Sequence, residues 1–324
     1  MLICLLLSLP PIYPSSVVYM QNSGFGNAIN PLLSLCDPKV YSIPMLLLIG
    51  WRGEPGKKDE PQHIVQGKVM SSLLTDLGIQ FEILPDYIEG AREAVDSAVH
   101  YLERRSGPYA FLVKRQTFTP YSLQNVEPNI YELNREQALG ICIDGTSNYD
   151  VLVTTTGFTS REVYELREAR GQDHRREFLT VGSMGHASVI ALGIAIAKPT
   201  RQVFCLDGDG AMLMHMGSMA TIGRSVPCSN FKHILINNGS HDSVGGQPTR
   251  GFDVDFGSIA KAAGYKHVFK AKTADEIAEA MKKLREVEGP AFLEVYVNKG
   301  ARKNLGRPKS TPIQNKTEFM RFLA

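Results

Sequence analysis

No charged side chain precedes Asp37. The apolar run Leu2 to Leu9 in this stretch falls well short of the roughly 18 residues a membrane span needs. No basic residue precedes that run and no small-x-small cleavage site follows it, so it lacks the parts of a secretory signal. Charge of one sign is also missing. Lys and Arg total 35 against 33 for Asp and Glu, with no block of like charges, which argues against a nucleic-acid partner gripped through its phosphates. The five cysteines (Cys4, Cys36, Cys142, Cys205 and Cys228) form no CxxC pair. Neither a zinc site nor a disulfide framework is indicated, and a reducing, cytoplasmic setting without membrane attachment is the expectation. The eight histidines show no metal-ligand spacing. Gly24-Phe25-Gly26 lacks the third glycine of a dinucleotide fingerprint, because Ile29 stands there. Gly53-Glu54-Pro55-Gly56-Lys57 lacks the spacing and the hydroxyl residue of a P-loop.

What remains is an ordinary globular composition, 43% hydrophobic and 21% charged over 324 residues. That is enough chain for one large α/β domain or two smaller ones. Short continuous apolar runs at Val17–Gln21, Tyr41–Ile49, Phe81–Leu84 and Tyr109–Val113 read as buried parallel strands. Helical spacing is seen over Val69–Leu77 and at Ala91, Ala94, Val95, Ala98 and Leu102. Residues 116–132 carry Pro120 and Pro128 without periodicity and read as a linker.

A second α/β set follows. Asn134 with Gln137 forms a capping-box pattern, as does Thr159 with Glu162, and Thr273 begins a further helix. Strands are expected at Val151–Thr155, Glu177–Val181, Gln202–Leu206, His233–Asn237 and Ala291–Val297, and a polar, peripheral tail from Asn298. The reading is two doubly wound parallel-sheet domains, the first incomplete. Its boundaries are an atypical N-terminus over 1–16, a first domain over 17–115, a linker over 116–133 and a second domain over 134–324.

The chemistry concentrates in three strand-to-helix turns. Gly208-Asp209-Gly210-Ala211 follows one strand, and Asn237-Asn238-Gly239-Ser240 ends the next. Alone, each is a turn signal. Together, at the carboxyl ends of strands where open α/β sheets place ligands, they make a magnesium–diphosphate site. Asp209 supplies a carboxylate, Asn238 a side-chain carbonyl and Ser240 a backbone carbonyl to a hard cation. A helix start after Gly210 would offer free N–H groups to the anion. Gly182-Ser183-Met184-Gly185-His186 forms a second turn, and Thr155-Thr156-Gly157 a third with hydroxyls for phosphate oxygens.

The paired GDG and NN turns resemble those of the thiamine-diphosphate enzymes. The stretches Gln21-Asn22-Ser23-Gly24, Trp51-Arg52-Gly53-Glu54-Pro55-Gly56, Asp59-Glu60-Pro61-Gln62-His63 and Asn237 through Thr249 are similar to the phosphonopyruvate decarboxylase branch and its sulfopyruvate relatives. The resemblance implies thiamine diphosphate and Mg²⁺ as cofactors, a phosphonate-bearing 2-oxo acid as substrate, and a homodimer or larger oligomer. It gives the carbonyl of Gly182 to the cofactor's amino group and makes Met184 the wedge that bends the cofactor. Thr156, Ser183, Gly208, Asp209, Gly210 and Ala211 then complete the cofactor site. Arg52 suits a phosphonate because its planar fork matches tetrahedral oxyanions. Asn22, Ser23, Asn27, His63 and Gln247 are the further substrate-side candidates, and Lys57 and Lys58 read as a solvated charge run. His186, His241 and Asp242 are candidates for proton transfer.

The resemblance also implies an activating glutamate upstream of Gln21, whereas the first glutamate is Glu54. Three accounts stand open: a longer enzyme of which this chain is part, a non-catalytic cofactor-binding relative, or a partner chain that supplies the group. Phosphonopyruvate decarboxylation is the expected function, with sulfopyruvate or a related 2-oxo acid as the alternative.

Overall fold

The computed structural model describes residues 16–121, 129–225 and 228–324. Most of the apolar N-terminus and part of the expected linker lie outside them. The chain divides into two compact units, Met1–Asn125 and Val126–Ala324.

The first unit is a four-stranded parallel sheet in the order β1-β2-β4-β3. Its strands are β1 (Ser16–Gln21), β2 (Met45–Gly50), β3 (Gln80–Ile83) and β4 (Pro108–Val113), with helices α1 (Pro61–Asp76) and α2 (Ile88–Arg105). The run Met45-Leu46-Leu47-Leu48-Ile49 is apolar at every position because both faces of β2 are covered. Met45, Leu47 and Ile49 enter one core with Met70 and Leu74 of α1. Leu46 and Leu48 face the other core, built on Ala94, Ala98 and Leu102 of α2. Helix α1 starts at Pro61, earlier than the periodicity indicates, because proline needs no N–H partner in a first turn. His63 therefore lies on a helix and not in a loop.

The second unit is a six-stranded sheet, ordered β11-β12-β8-β7-β5-β6, with every pair parallel. The sheet is formed by β5 (Val151–Thr154), β6 (Glu177–Leu179), β7 (Val203–Gly208), β8 (Phe231–Asn237), β11 (His267–Ala271) and β12 (Ala291–Tyr296). A short antiparallel pair, β9 (Ser240–His241) with β10 (Gln247–Pro248), follows β8. The helices are α3 (Arg135–Asp144), α4 (Phe158–Ala169), α5 (Ala187–Ala197), α6 (Asp209–Met214), α7 (Ser218–Arg224), α8 (Phe256–Ala263), α9 (Ala274–Glu286) and α10 (Pro312–Leu323). All seven residues of β8 are buried, as a central strand between two helical layers requires.

Several expectations need correction. The Thr159–Glu162 capping box does not form: α4 begins at Phe158 with Gly157 before it, and Glu162 turns inward to Arg135. The Asn134–Gln137 box does form, and Thr273 caps α9 by accepting from Glu276 N–H. The tail is not peripheral. Helix α10, opened by a Thr311–Gln314 capping box, buries Phe319 and Leu323 in the core under β7 and β8. Its Asn315 satisfies the edge strand β6, accepting from Leu179 N–H at 3.1 Å and donating to the Glu177 carbonyl at 2.9 Å. Residues 130 and 131, read as linker, are fastened to Asn298, whose Oδ1 accepts from both backbone N–H groups.

Candidate active site

The order of the second sheet makes the site. After β5 the chain steps outward to β6, then returns to lay β7 on the other side of β5. The connections therefore leave β5 and β7 in opposite directions and open a crevice beyond their carboxyl ends. The Thr155-Thr156-Gly157 and Gly208-Asp209-Gly210 turns sit there, and Thr155 N–H donates to the Leu206 carbonyl at 2.8 Å.

Asp209 is 1% exposed and lies in the first turn of α6. The helix thus starts earlier than expected and ends at Met214, too short to act as an extended dipole. Oδ1 of Asp209 accepts from Asn238 N–H at 3.3 Å, and Oδ2 accepts from the Thr249 hydroxyl. Burial pushes the Asp209 carboxyl up from the usual range, and these donors pull it partly back. Asn238 is oriented on both sides. Its Nδ2 donates to Asp242 at 2.7 Å, and its Oδ1 accepts from Ser240 N–H at 3.1 Å. Gly251 closes the back of the site, because a Cβ there would stand 2.5 Å from both Asp209 Oδ2 and Asn237 Oδ1.

The turn after β6 brings further pieces. Gly182 N–H donates to the Thr156 hydroxyl at 3.0 Å. Gly182, Ser183 and Gly185 all have positive φ, Ser183 at 45°, a conformation that costs a non-glycine residue energy and that clusters at functional sites. Met184 and His241 both reach Gly210: a Cβ on Gly210 would lie 2.4 Å from His241 Cε1 and 3.4 Å from Met184 Cε. His186 is exposed and packs on His215 with ring centroids 4.3 Å apart. Gly185 lies against that same His215 and against the Ala211 carbonyl, which a Cβ there would meet at 2.5 and 2.8 Å.

Asp242 has a different environment from the one a proton donor needs. Its Oδ2 accepts from Arg135 at 2.7 Å, Asn238 at 2.7 Å and Gly300 N–H at 2.8 Å. Arg135 also grips Glu162 through two bonds of 2.8 Å. Burial opposes the charge on Arg135, but Glu162 and Asp242 outweigh it and hold its pKa above the usual value. Burial raises the Glu162 carboxyl. The Asp242 carboxylate thus holds the Asn238 side chain through Nδ2.

The substrate-side candidates Asn22, Ser23, Asn27, Arg52 and His63 lie in the first unit. The fork of Arg52 is engaged by Asp59, which accepts from Nε at 2.9 Å and also from Gly53 and Glu60 N–H. The Arg52 side chain is 41% exposed, so one edge of the guanidinium still faces solvent. Ser23 donates to Gln21, Asn27 is exposed, and Lys57 and Lys58 are exposed as a solvated run would be. His63 Nδ1 is buried without a partner, and burial lowers the imidazole pKa. In the second unit Gln247 folds over Gly245.

Three hydroxyls decide whether a phosphorylated cofactor suits the second unit. Thr155 Oγ1, Thr180 Oγ1 and Ser240 Oγ are buried with no partner among the described residues. They follow β5, β6 and β8 beside turns of positive φ at Gly157, Gly182 and Gly239. Buried hydroxyls are normally satisfied, and a diphosphate would supply the missing partners. The residues fit that group. Thr180, His215 and Gly251 were missed by the sequence reading because no local motif marks them. Thr249 lies in the segment of resemblance, but nothing in its surroundings in the chain points to Asp209.

A crevice at the switch point of an open sheet, with a carboxylate, a carboxamide and spare hydroxyls, defines a protein built to hold a phosphorylated cofactor. The family described as thiamine pyrophosphate enzyme, C-terminal TPP binding domain, matches residues 156–295. The chain is 34% identical to the phosphonopyruvate decarboxylase of Streptomyces viridochromogenes over 318 residues, covering 94% of this chain and 78% of that protein. It is 25% identical to the sulfopyruvate decarboxylase of Methanosarcina acetivorans, covering 88% of this chain and 76% of that one. Among solved structures, benzoylformate decarboxylase from Polynucleobacter necessarius shares 16% identity at a TM-score of 0.44, over 89% of this chain and 62% of that one. The chain belongs to the phosphonopyruvate decarboxylase family of thiamine-diphosphate-dependent carboxy-lyases.

Proposed function

We propose that this chain decarboxylates phosphonopyruvate to phosphonoacetaldehyde and CO₂, using thiamine diphosphate and Mg²⁺ in a homo-oligomer within the cytoplasm. The carboxylate carbon leaves as CO₂ and a proton takes its place. The observation that carries this reading is the convergence of Asp209, Asn238 and the hydroxyls of Thr155, Thr180 and Ser240, unpartnered among the described residues, at the carboxyl ends of neighbouring strands.

When bound, the cofactor supplies a carbanion nucleophile and an electron sink. The chain's part is to hold and orient. Asp209 and the Asn238 and Ser240 carbonyls take the cation, Thr156 serves the diphosphate together with the spare hydroxyls, and the turn of Gly182 and Ser183 offers the Gly182 carbonyl to the cofactor's amino group. Met184 packs against Gly210 at the position the family gives to the bending wedge. His241, over Gly210, and His186, beside His215, are the proposed proton donors. Arg52, Asn22 and His63 are proposed to serve the phosphonate and carboxylate of the substrate. Sulfopyruvate is the second reading, since a sulfonate presents the same oxyanion to the same donors. Over matches of similar length, the identity of 34% to the phosphonopyruvate decarboxylase against 25% to the sulfopyruvate decarboxylase of Methanosarcina acetivorans supports the first.

The test is a ³¹P spectrum of the purified chain with thiamine diphosphate, Mg²⁺ and phosphonopyruvate, with CO₂ release from sulfopyruvate, which carries no phosphorus, measured in parallel. Phosphonoacetaldehyde is the expected product. A folded, cofactor-bound sample that turns over neither substrate points to a binding protein instead.

A further inference from the structure

The turn that carries Asp209 is anchored from behind by three buried polar side chains. Asp207, at the end of β7, is 1% exposed, and its Oδ1 accepts from Gly208 N–H at 2.9 Å. Its Oδ2 lies 3.4 Å from Nε2 of His233, which is also 1% exposed. Nδ1 of His233 lies 3.1 Å from the hydroxyl of Tyr265, itself 3% exposed. The sheet register pairs Cys205 with His233, so Asp207, two residues on, lies on the same face. Phe231 and Phe292 meet the imidazole edge-on, at 5.9 and 5.5 Å between centroids.

Burial holds the Tyr265 phenol protonated, so the hydroxyl donates to Nδ1. Nε2 then carries the imidazole hydrogen and gives it to Asp207. The chain of donors has one direction, from Tyr265 through His233 to a carboxylate that in turn holds the Gly208 amide. A buried carboxylate, imidazole and phenol are costly where apolar side chains would pack as well. Such a network specifies geometry, and the geometry it specifies is that of the Asp207–Gly208 peptide, one residue before Asp209.

We infer that Asp207, His233 and Tyr265 form a positioning network that aims the Asp209 carboxylate at the cation. The inference rests on the cation-binding reading of Asp209. The ligand atoms of Cys205, Asp207 and His233 also lie within 4.8 Å of one another, which raises a buried metal centre as the rival. Both imidazole nitrogens already have protein partners, and burial keeps the Cys205 thiol protonated. The hydrogen-bonded reading therefore stands ahead.

The experiment is a Mn²⁺ titration of the full chain followed by electron paramagnetic resonance with thiamine diphosphate present. Tyr265→Phe removes one hydroxyl and keeps the ring, and Asp207→Asn keeps the shape and removes the charge. Each is expected to raise the Mn²⁺ Kd about tenfold, the scale of lost outer-shell partners in metal sites. Ile222→Val, a buried change in the same core, is expected to move the melting temperature and leave the Kd alone. Unchanged Kd in both network variants, with both folded by circular dichroism, overturns the inference alone. Asp209→Ala is run beside them. If it retains Mn²⁺ binding, the cation reading falls and takes the inference with it. Stoichiometric zinc in the purified chain, lost in His233→Gln, overturns the inference in favour of a metal centre.

Discussion

Asn22, at the start of a short helix after β1, and Arg52, in the turn after β2, exchange two hydrogen bonds within the first unit. Asn22 Nδ2 donates to the Arg52 carbonyl at 2.8 Å, and Arg52 N–H donates to Asn22 Oδ1 at 3.0 Å. One side chain thereby satisfies both backbone groups of the residue whose guanidinium is a substrate-side candidate. Asn22 is buried, so replacing it takes the Nδ2 donor from the Arg52 carbonyl, while Arg52 N–H keeps the Gly50 carbonyl at 3.2 Å. Asn22→Ala is expected to cost about 1–3 kcal/mol of stability, read by urea denaturation, and to raise KM more than it lowers kcat. An unchanged KM removes Arg52 from the substrate reading.

The Arg52–Asp59 pair makes a prediction about acid. Hydrogen bonding to Arg52 is the largest cause holding the Asp59 carboxyl at about 2, against 3.8 for an ordinary aspartate. A folded pKa below the unfolded one gives stability that is present above about pH 4 and lost as pH falls towards about 2. The Gly53 and Glu60 amides, both held by Asp59, are expected to lose hydrogen-exchange protection through that window. In Asp59→Asn their protection is lower throughout and flat with pH.

Gly210 is where the resemblance and the packing meet. A Cβ there would collide with the His241 ring and press on Met184. Gly210→Ala is expected to destabilise by about 1–3 kcal/mol, the usual cost of overpacking, and to weaken thiamine-diphosphate binding. In a His241→Ala background the stability cost shrinks, because the colliding ring is gone. Thermal denaturation of the four proteins in a double-mutant cycle measures this coupling. Additive effects mean that His241 does not cover Gly210.

Arg135 neutralises a buried carboxylate, Glu162, and a partly buried one, Asp242. Removing one partner of a buried pair leaves an uncompensated charge, so Arg135→Leu is expected to cost about 3–5 kcal/mol. Asp242 also holds Asn238 Nδ2, so the same variant is expected to weaken Mn²⁺ binding. Glu162→Gln, which spares Asp242, lowers stability with little effect on the metal. Equal metal affinity in the two variants excludes Asp242 as the link.

Much of this architecture is legible in the chain. Met45 through Ile49 are apolar at every position because both faces of a parallel strand are covered, and that pattern needs no neighbour to be read. Asn134 with Gln137 announces a helix start through bonds within four residues. The Gly208-Asp209-Gly210 and Asn237-Asn238 turns are likewise local, and the strand-turn-helix context that gives them meaning is visible around them.

The sequence by itself therefore determined two parallel α/β units and the place of the cofactor turns. Only the tertiary structure decided which side chains complete them. Sheet order brings Thr249 and Gly251 onto Asp209, Arg135 onto Asp242 and Tyr265 onto His233. It also folds the polar tail back, so that Asn315 satisfies the edge of β6. Periodicity and turn chemistry are properties of neighbours along the chain. A buried donor's partner is set by which strands lie side by side, and spacing in the sequence does not encode that.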